Sequence, residues 1–273
     1  MTAVVELRDA RLSFGTRTLW SGLDLTVEPG QFITVLGSNG SGKSSLLKAI
    51  LGTLSLTEGE VRVCGQPARR GSSRIGYIPQ HHGYAIDVPL RGRDLVQLGL
   101  DGTHWGPPLP WRNREQRRQV DELIERVGAG AFANRPIGRL SGGEQQQLRA
   151  AQALATEPAV LLCDEPLLSL DLRHQRGVVD LLDKQRRDRD TAVLFVTHEI
   201  NPVLPVTDQV LYLNDGRFRI GPPDEVMTSA VLSELYRSPI EVIRRGDQIV
   251  VLGADDVAHT HPHTTSHPTK ATA

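Results

Sequence analysis

The segment GSNGSGKS, from Gly37 to Ser44, constrains the fold more than any other part of the chain. It follows the apolar run QFITVL and precedes the helical pattern KSSLLKAI, so it matches G-x-x-x-x-G-K-S/T in the required strand–loop–helix context. Its glycines let the backbone turn tightly, so that N–H groups converge on phosphate oxygens. The segment therefore predicts a nucleotide phosphate site, against the alternative of a glycine-rich turn that matches by chance.

The side chains of this loop have expected roles. The Lys43 ammonium can reach the β- and γ-phosphates of a nucleotide, and the Ser44 hydroxyl is placed to ligate Mg²⁺. The helix that starts near Lys43 adds the positive end of its dipole. The residues expected to contact the nucleotide here are Gly37, Ser38, Asn39, Gly40, Ser41, Gly42, Lys43, Ser44 and Ser45.

Two carboxylates follow a second apolar run, AVLLCDEP, in which Asp164 and Glu165 come directly after the strand pattern. Strand alternation points the two side chains differently, which suits two tasks. We expect Asp164 to hold the hydration shell of Mg²⁺ and Glu165 to polarise the attacking water as a general base. The alternative is a polar turn after a strand, but the pair favours a hydrolase over a nucleotide-binding module.

Short β-branched runs alternate with helical patterns along most of the chain, which predicts an α/β fold: a P-loop NTPase core with a mainly parallel sheet and an antiparallel β edge. The middle of the chain is predicted to be an inserted α-helical subdomain, and IEVIRRGDQIVVLG is predicted to be a hairpin that turns at Gly246–Asp247. The expected division is an ATPase domain over 1–240, with its core at 1–84 and 156–240 and the helical subdomain at 85–155. A hairpin extension over 241–253 and a disordered tail over 254–273 follow.

Charge and apolar patterning exclude several classes of protein. The 31 basic and 32 acidic residues give a net charge of −1, so a global attraction to nucleic acid or to an anionic membrane is not expected. Cys64 and Cys163 fit no metal-ligand spacing, which agrees with a reducing cytosol. No run reaches the roughly 20 apolar residues of a membrane span, and the first residues lack a signal-peptide pattern. We expect a soluble, cytosolic protein.

A third motif, LSGGEQQQL at 140–148, lies between the other two. Together the three motifs resemble the ATPase subunits of ATP-binding-cassette (ABC) transporters over roughly residues 3–235. The Ser141 hydroxyl and the N–H groups of Gly142 and Gly143 stand at a predicted helix start, which makes a second anion-binding site. The resemblance implies a head-to-tail homodimer, in which this signature motif closes over the γ-phosphate held by the partner's loop.

Other positions carry roles that the resemblance implies one by one, together with ATP and Mg²⁺ as cofactors. Phe14 matches the aromatic residue that stacks on adenine, and Gln80 matches the glutamine that contacts Mg²⁺ and the water. Asp171 matches the aspartate that communicates across the dimer, and His198 matches the switch histidine at the γ-phosphate. Two positions depart from the usual pattern: Leu167 follows DEP in place of Ser or Thr, and Gln147 stands where Arg is frequent.

The resemblance also implies what the ATPase drives. The chain holds one cassette and no long heptad coiled coil, and its helical insertion is of transporter size, so a separate integral membrane permease is the implied partner. The segments IGYIPQ and VTHEINPVLPVTDQVLYL are similar to ATPases of bacterial zinc or manganese uptake systems, and less closely to those of siderophore and cobalamin importers. The resemblance further implies an extracytoplasmic metal-binding protein as an indirect partner, and a location on the inner face of the plasma membrane. Alternatives are a metal-chelate importer and a soluble ABC ATPase without a transport role.

The end of the chain, HTHPHTTSHPTK, carries His259, His261, His263 and His267. It has no apolar periodicity, two prolines and several Thr and Ser, so it is predicted to be disordered. Its spacing could bind Zn²⁺ through neutral imidazoles, but it lacks a rigid frame. An unstructured end and a segment that buffers or senses the transported metal both remain open.

Overall fold

The structure is a computed structural model that describes residues 3–80, 90–102, 110–168 and 170–253. The strands in chain order are β1 (Val5–Phe14), β2 (Arg17–Val27), β3 (Phe32–Gly37), β4 (Glu58–Val63), β5 (Gln66–Pro67), β6 (Ile75–Ile78), β7 (Val160–Asp164), β8 (Ala192–Val196), β9 (Gln209–Asn214), β10 (Arg217–Gly221), β11 (Ile240–Arg245) and β12 (Gln248–Gly253). The helices are α1 (Lys43–Ile50), α2 (Gly92–Asp101), α3 (Pro110–Arg126), α4 (Gly142–Leu154), α5 (Leu172–Arg189), α6 (Pro223–Val226) and α7 (Ser229–Tyr236).

A six-stranded sheet in the order β10-β9-β3-β8-β7-β6 forms the centre of the protein. The five neighbouring strands β9, β3, β8, β7 and β6 pair in parallel, whereas β10 lies antiparallel to β9 at one edge. Every residue of β7 and β8 is buried, because both faces of the sheet are covered. The predicted mainly parallel sheet with an antiparallel edge is confirmed.

A four-stranded antiparallel sheet, in the order β2-β1-β4-β5, packs with α1 against one face of the central sheet. Strand β1 begins in the apolar run VVEL and continues through polar residues to Phe14. The reason is an irregularity in its pairing after Leu7, where Asp9 has a φ of 44°. The bulge leaves an unpaired residue and re-aims the strand, so that pairing resumes beyond it.

Helices α2, α3 and α4 lie between β6 and β7, where the sequence predicted an inserted helical region. Their apolar faces share one buried cluster with α5 and with the central sheet, and Val96, Ile124 and Leu148 are among its members. The opposite face of α3 is charged, and Arg118 and Glu122 form an exposed ion pair one helical turn apart. The helical segment therefore packs on the sheet face opposite α1.

The C-terminal part adds α6, α7 and the β11–β12 hairpin around β9. The hairpin turns at Gly246–Asp247 as predicted, with a φ of 59° at the glycine. Ile249 of β12 lies in a third apolar cluster together with Leu36 and Ile200. The histidine-containing tail at 254–273, for which disorder was predicted, lies outside the described residues.

Within the described ranges, no helix is both long enough and apolar enough to cross a lipid bilayer.

Candidate active site

The loop GSNGSGKS joins the end of β3 to the start of α1, and two of its glycines are required by close contacts. Gly37 has a φ of 144°, and a Cβ there would lie 1.9 Å from the carbonyl oxygen of Leu213. Gly42 has a φ of 99°, and a Cβ there would lie 2.8 Å from Nε1 of Trp20. Any larger residue would displace backbone or a buried indole, so the loop keeps its tight path only with glycine.

The N-terminus of α1 opens directly into this loop, because the helix begins at Lys43. The N–H groups of its first turn have no intrahelical acceptor, since an α-helix pairs each N–H with a carbonyl four residues earlier. They also carry the positive end of the helix dipole. The predicted contacts at Lys43, Ser44 and Ser45 therefore present N–H donors to an anion.

The Lys43 side chain is buried in the loop. Its Nζ donates hydrogen bonds to the carbonyl oxygens of Gly37 at 2.7 Å and Ser38 at 3.0 Å. Burial lowers the pKa of the Lys43 ammonium, although the negative charges of Glu165 and Asp164 act to raise it. An anionic ligand near Nζ would stabilise the ammonium charge that burial disfavours, so the site favours bound phosphate.

Asp164 ends β7 beside the start of α1. The Ser44 hydroxyl donates to its Oδ1 at 3.0 Å, and the Tyr77 hydroxyl of β6 donates to its Oδ2 at 3.4 Å. Burial, followed by the charge of Asp164, raises the pKa of Tyr77 to about 12. Tyr77 is therefore a neutral donor to this carboxylate. No sequence motif marks Tyr77, although its place on the strand that pairs with β7 indicates that it lies near Asp164.

Glu165 follows β7 and leaves the line of the strand, because its φ is 50°. One carboxylate oxygen lies 2.5 Å from Nε2 of His198, and the other accepts a hydrogen bond from Nε2 of Gln80 at 3.2 Å. The Glu165 side chain is 13% exposed, whereas that of His198 is 40% exposed. A water molecule beside this carboxylate could lose a proton to it, and the exposed imidazole could face a phosphate.

The predicted signature motif begins α4. Ser141 caps the helix: its hydroxyl accepts from the Glu144 N–H at 3.3 Å, and its own N–H donates to Oε2 of Glu144 at 2.7 Å. A Cβ at Gly143 would lie 2.3 Å from the ring of His174, so a larger residue here would displace that ring. The helix begins at Gly142, within the segment where the sequence predicted a helix start.

His174 joins the signature motif to the next predicted site residue. Its Nδ1 lies 2.8 Å from Oδ2 of Asp171, and its backbone N–H donates to Oδ1 at 2.9 Å. These two hydrogen bonds lower the pKa of the Asp171 carboxyl. No sequence motif marks His174, because its role depends on how α5 packs against α4.

The predicted site residues fall into separate groups. The first group surrounds the loop and contains Lys43, Ser44, Gln80, Asp164, Glu165 and His198. The second contains Ser141, Gly142, Gly143 and Asp171. None of the hydrogen bonds that Ser141 and Asp171 make within the described residues reaches the first group. Phe14 ends β1 with half its surface exposed, and Leu167 is buried in the core behind Glu165.

Comparison with known proteins places this arrangement among characterised families. A family model described as ABC transporter matches residues 20–168, which is more than half of the chain. A metal-chelate type ABC transporter in an inward-facing conformation is similar at 25% identity and a TM-score of 0.76, covering 91% of this chain and 96% of that one.

Two further solved structures have the same fold. One is cbiO1 from Clostridium perfringens, part of the ABC transporter complex cbiONQ, with 23% identity, a TM-score of 0.70, and coverage of 86% of this chain and 94% of that one. The other is a dimeric ATP-binding cassette bound to ADP and Pi in a post-hydrolysis state. It has 27% identity and a TM-score of 0.68, and the match covers 80% of this chain and 98% of that one.

The raised pKa of Tyr77 gives a prediction with a definite sign. A tyrosine is neutral when protonated, so a folded pKa of about 12 means that the fold favours the neutral phenol. This stabilisation is complete below the unfolded pKa of about 10 and is lost as the pH rises above it. We expect the difference in phenolate absorbance between the wild type and Tyr77→Phe to develop near pH 12. Circular dichroism checks the fold, and a midpoint near that of free tyrosine would contradict the Asp164 contact.

Proposed function

Because the chain belongs to the ABC transporter family, we propose that it is the ATP-hydrolysing subunit of an importer that takes up a divalent metal ion, zinc or manganese, through a separate membrane permease. The single observation that carries the hydrolytic part is Glu165, held between His198 and Gln80 beside the phosphate loop. A largely buried carboxylate held by an imidazole and an amide is not needed for nucleotide binding alone. It is what an attacking water requires.

ATP binding is assigned to the loop and to α1. The N–H groups of residues 37–45 and the Lys43 ammonium would take the β- and γ-phosphates, and the exposed Phe14 ring would stack on adenine. In this step, Nζ of Lys43 exchanges loop carbonyls for phosphate oxygens. That exchange replaces neutral acceptors with charged ones, which are the stronger partners of an ammonium.

Ser44 and Asp164 suit an Mg²⁺ ion, because both offer hard oxygen donors and they already lie 3.0 Å apart. We assign the ion to these two residues and to Gln80. When bound, Mg²⁺ neutralises phosphate charge. Tyr77 then orients the Asp164 carboxylate through the second oxygen.

Hydrolysis begins when a water molecule lies between Glu165 and the γ-phosphate. Glu165 accepts the proton as the water oxygen attacks phosphorus, and the bond to the β-phosphate bridging oxygen breaks to give ADP and phosphate. His198 contacts the γ-phosphate and restrains the Glu165 carboxylate from the other side. Gln80 holds the second carboxylate oxygen, so that Glu165 faces the water in one orientation.

The second group of site residues supports a homodimer arranged head to tail. Ser141, Gly142, Gly143 and Asp171 make no hydrogen bond to their own phosphate loop within the described residues, and the start of α4 presents the N–H groups of Gly142 and Gly143. We propose that they act on the nucleotide held by the partner. A dimeric solved cassette with ADP and Pi is among the similar structures, in support of this arrangement.

The permease and the substrate rest on resemblance. We propose that the helical segment 85–155 receives the permease, that the chain lies on the inner face of the plasma membrane, and that an extracytoplasmic metal-binding protein delivers the ion. A metal-chelate importer is the second candidate. The similarity to a metal-chelate type transporter over 91% of this chain favours it.

Glu165→Gln tests the general base. The amide keeps the hydrogen-bonding shape but cannot accept a proton, so we expect ATP turnover to fall on the order of 10²- to 10⁴-fold. ATP binding should persist and trap a dimer, measured by phosphate release, nucleotide titration and size-exclusion chromatography. Glu115→Gln, at an exposed position on α3, is the matched control and should leave turnover unchanged. Wild-type turnover in Glu165→Gln would refute the assignment.

Lys43→Ala tests the phosphate contact. Loss of a charge-assisted hydrogen bond should weaken ATP binding about tenfold to a hundredfold, measured by calorimetric titration. Lys48→Ala, at an exposed position on the same helix, controls for the loss of a positive charge from α1 and should bind ATP as the wild type does. Equal affinities for the two variants would remove Lys43 from the site.

Isolation of the whole complex tests the transport role. We expect the chain to co-purify with an integral membrane protein, and elemental analysis of the associated extracytoplasmic protein to give zinc or manganese. An organic chelator found with the metal by mass spectrometry would favour the metal-chelate importer. Ribosomal or DNA partners, without a membrane protein, would overturn the transport assignment.

A further inference from the structure

His198 lies in the loop after β8, and each side of this loop is fixed by a different part of the chain. On the side before His198, the Thr197 N–H donates to the carbonyl oxygen of Val35 in β3 at 3.2 Å. On the side after it, Asn201 is hydrogen-bonded to Ile249 in β12. The central sheet therefore provides one anchor, and the C-terminal hairpin provides the other.

The second anchor uses both ends of one side-chain amide. Nδ2 of Asn201 donates to the carbonyl oxygen of Ile249 at 2.9 Å, and Oδ1 accepts from the Ile249 N–H at 2.8 Å. These are the backbone groups with which a further strand would pair, so the Asn201 side chain acts as a one-residue extension of the hairpin. A pair of hydrogen bonds fixes the direction of the loop as well as its distance from β12.

Apolar packing strengthens the same connection. Ile249 is 4% exposed and lies in one cluster with Ile200, which is adjacent to Asn201, and with Leu36, the residue directly before the phosphate loop. A hairpin that only extended the surface would not need to bury a side chain against these two segments. The cluster thus connects β12 to both the switch loop and the base of the phosphate loop.

We propose that Asn201 is a positioning residue for His198, and that the hairpin 240–253 is the brace through which it acts. This inference rests on the proposed contact between His198 and the γ-phosphate. With Thr197 held by β3 and Asn201 held by β12, the loop has both ends fixed and His198 has a restricted position. Without the hairpin contact, that end keeps only its apolar packing, and the imidazole samples positions away from the phosphate. The loop 37–44 keeps its own contacts, so turnover falls while ATP affinity does not.

The hairpin is also anchored at Arg244, and this separate anchor provides a matched control. On β11, Arg244 donates to Oδ1 of Asp224 at 2.7 Å and to the carbonyl oxygen of Pro223 at 3.3 Å. This exposed anchor attaches the same hairpin to α6, and Arg244 lies opposite Ile249 in the pairing of β11 with β12. Loss of the Arg244 anchor loosens the hairpin without releasing Asn201.

The experiment compares Asn201→Ala, Asn201→Asp, Arg244→Ala and His198→Ala in the full chain, with kcat, KM, ATP affinity and thermal stability measured for each. We expect Asn201→Ala to lower kcat on the order of 10- to 100-fold, because misplacement of a catalytic group has an effect of this size. Its ATP affinity should equal that of the wild type. Asn201→Asp should be intermediate, since it accepts from the Ile249 N–H but cannot donate, and Arg244→Ala should keep wild-type kcat.

Several results would overturn the inference. Wild-type kcat in Asn201→Ala would do so, and so would an equal loss of kcat in Arg244→Ala, which would indicate general loosening of the hairpin. If His198→Ala itself turned over at the wild-type rate, the failure would lie in the proposed function of His198. If Asn201→Ala does not fold, hydrogen exchange decides: residues 197–203 should exchange faster in Asn201→Asp than in Arg244→Ala, and equal rates would refute the brace.

Discussion

The parallel pairing of β3, β8 and β7 is the constraint on which the rest of the structure depends. In this register Val35 of β3 and Asp164 of β7 both lie opposite Val196 of β8, so β7 and β8 end in one row and β3 ends two residues beyond it. The residues that follow are therefore brought together: the phosphate loop after β3, Glu165 after β7 and His198 after β8. Parallel pairing requires crossover connections, which place helices on both faces of the sheet; together with the antiparallel sheet on one face, they account for the fully buried strands.

Features that depend on local pattern could be predicted from the sequence. The phosphate loop, the Asp164–Glu165 pair and the turn at Gly246–Asp247 each rest on a few consecutive residues, and the mainly parallel sheet follows from continuous apolar runs. Contacts between distant segments could not be predicted. Tyr77 and Asp164 are 87 residues apart, and Asn201 and Ile249 are 48 apart, so their meeting depends on strand order and on packing. The length of β1 depends on the bulge at Asp9, which no composition rule marks.

The site residues form two groups, one around the phosphate loop and one around the signature motif. Those of the first group contact one another directly, through hydrogen bonds and ion pairs around Asp164 and Glu165. The signature motif and Asp171 form a second unit, which His174 holds together by packing on Gly143 and bonding to Asp171. The hairpin brace adds a third element, since it fixes the loop that carries His198.

The central claim is that water attacks the γ-phosphate of ATP at the carboxylate of Glu165. Its most direct test is hydrolysis of ATP by the wild-type chain in water labelled with oxygen-18, with mass analysis of both products. We expect the label to appear in inorganic phosphate and to be absent from ADP, since the attack is on the terminal phosphorus. Label in the terminal phosphate of ADP, or no release of phosphate, would contradict it.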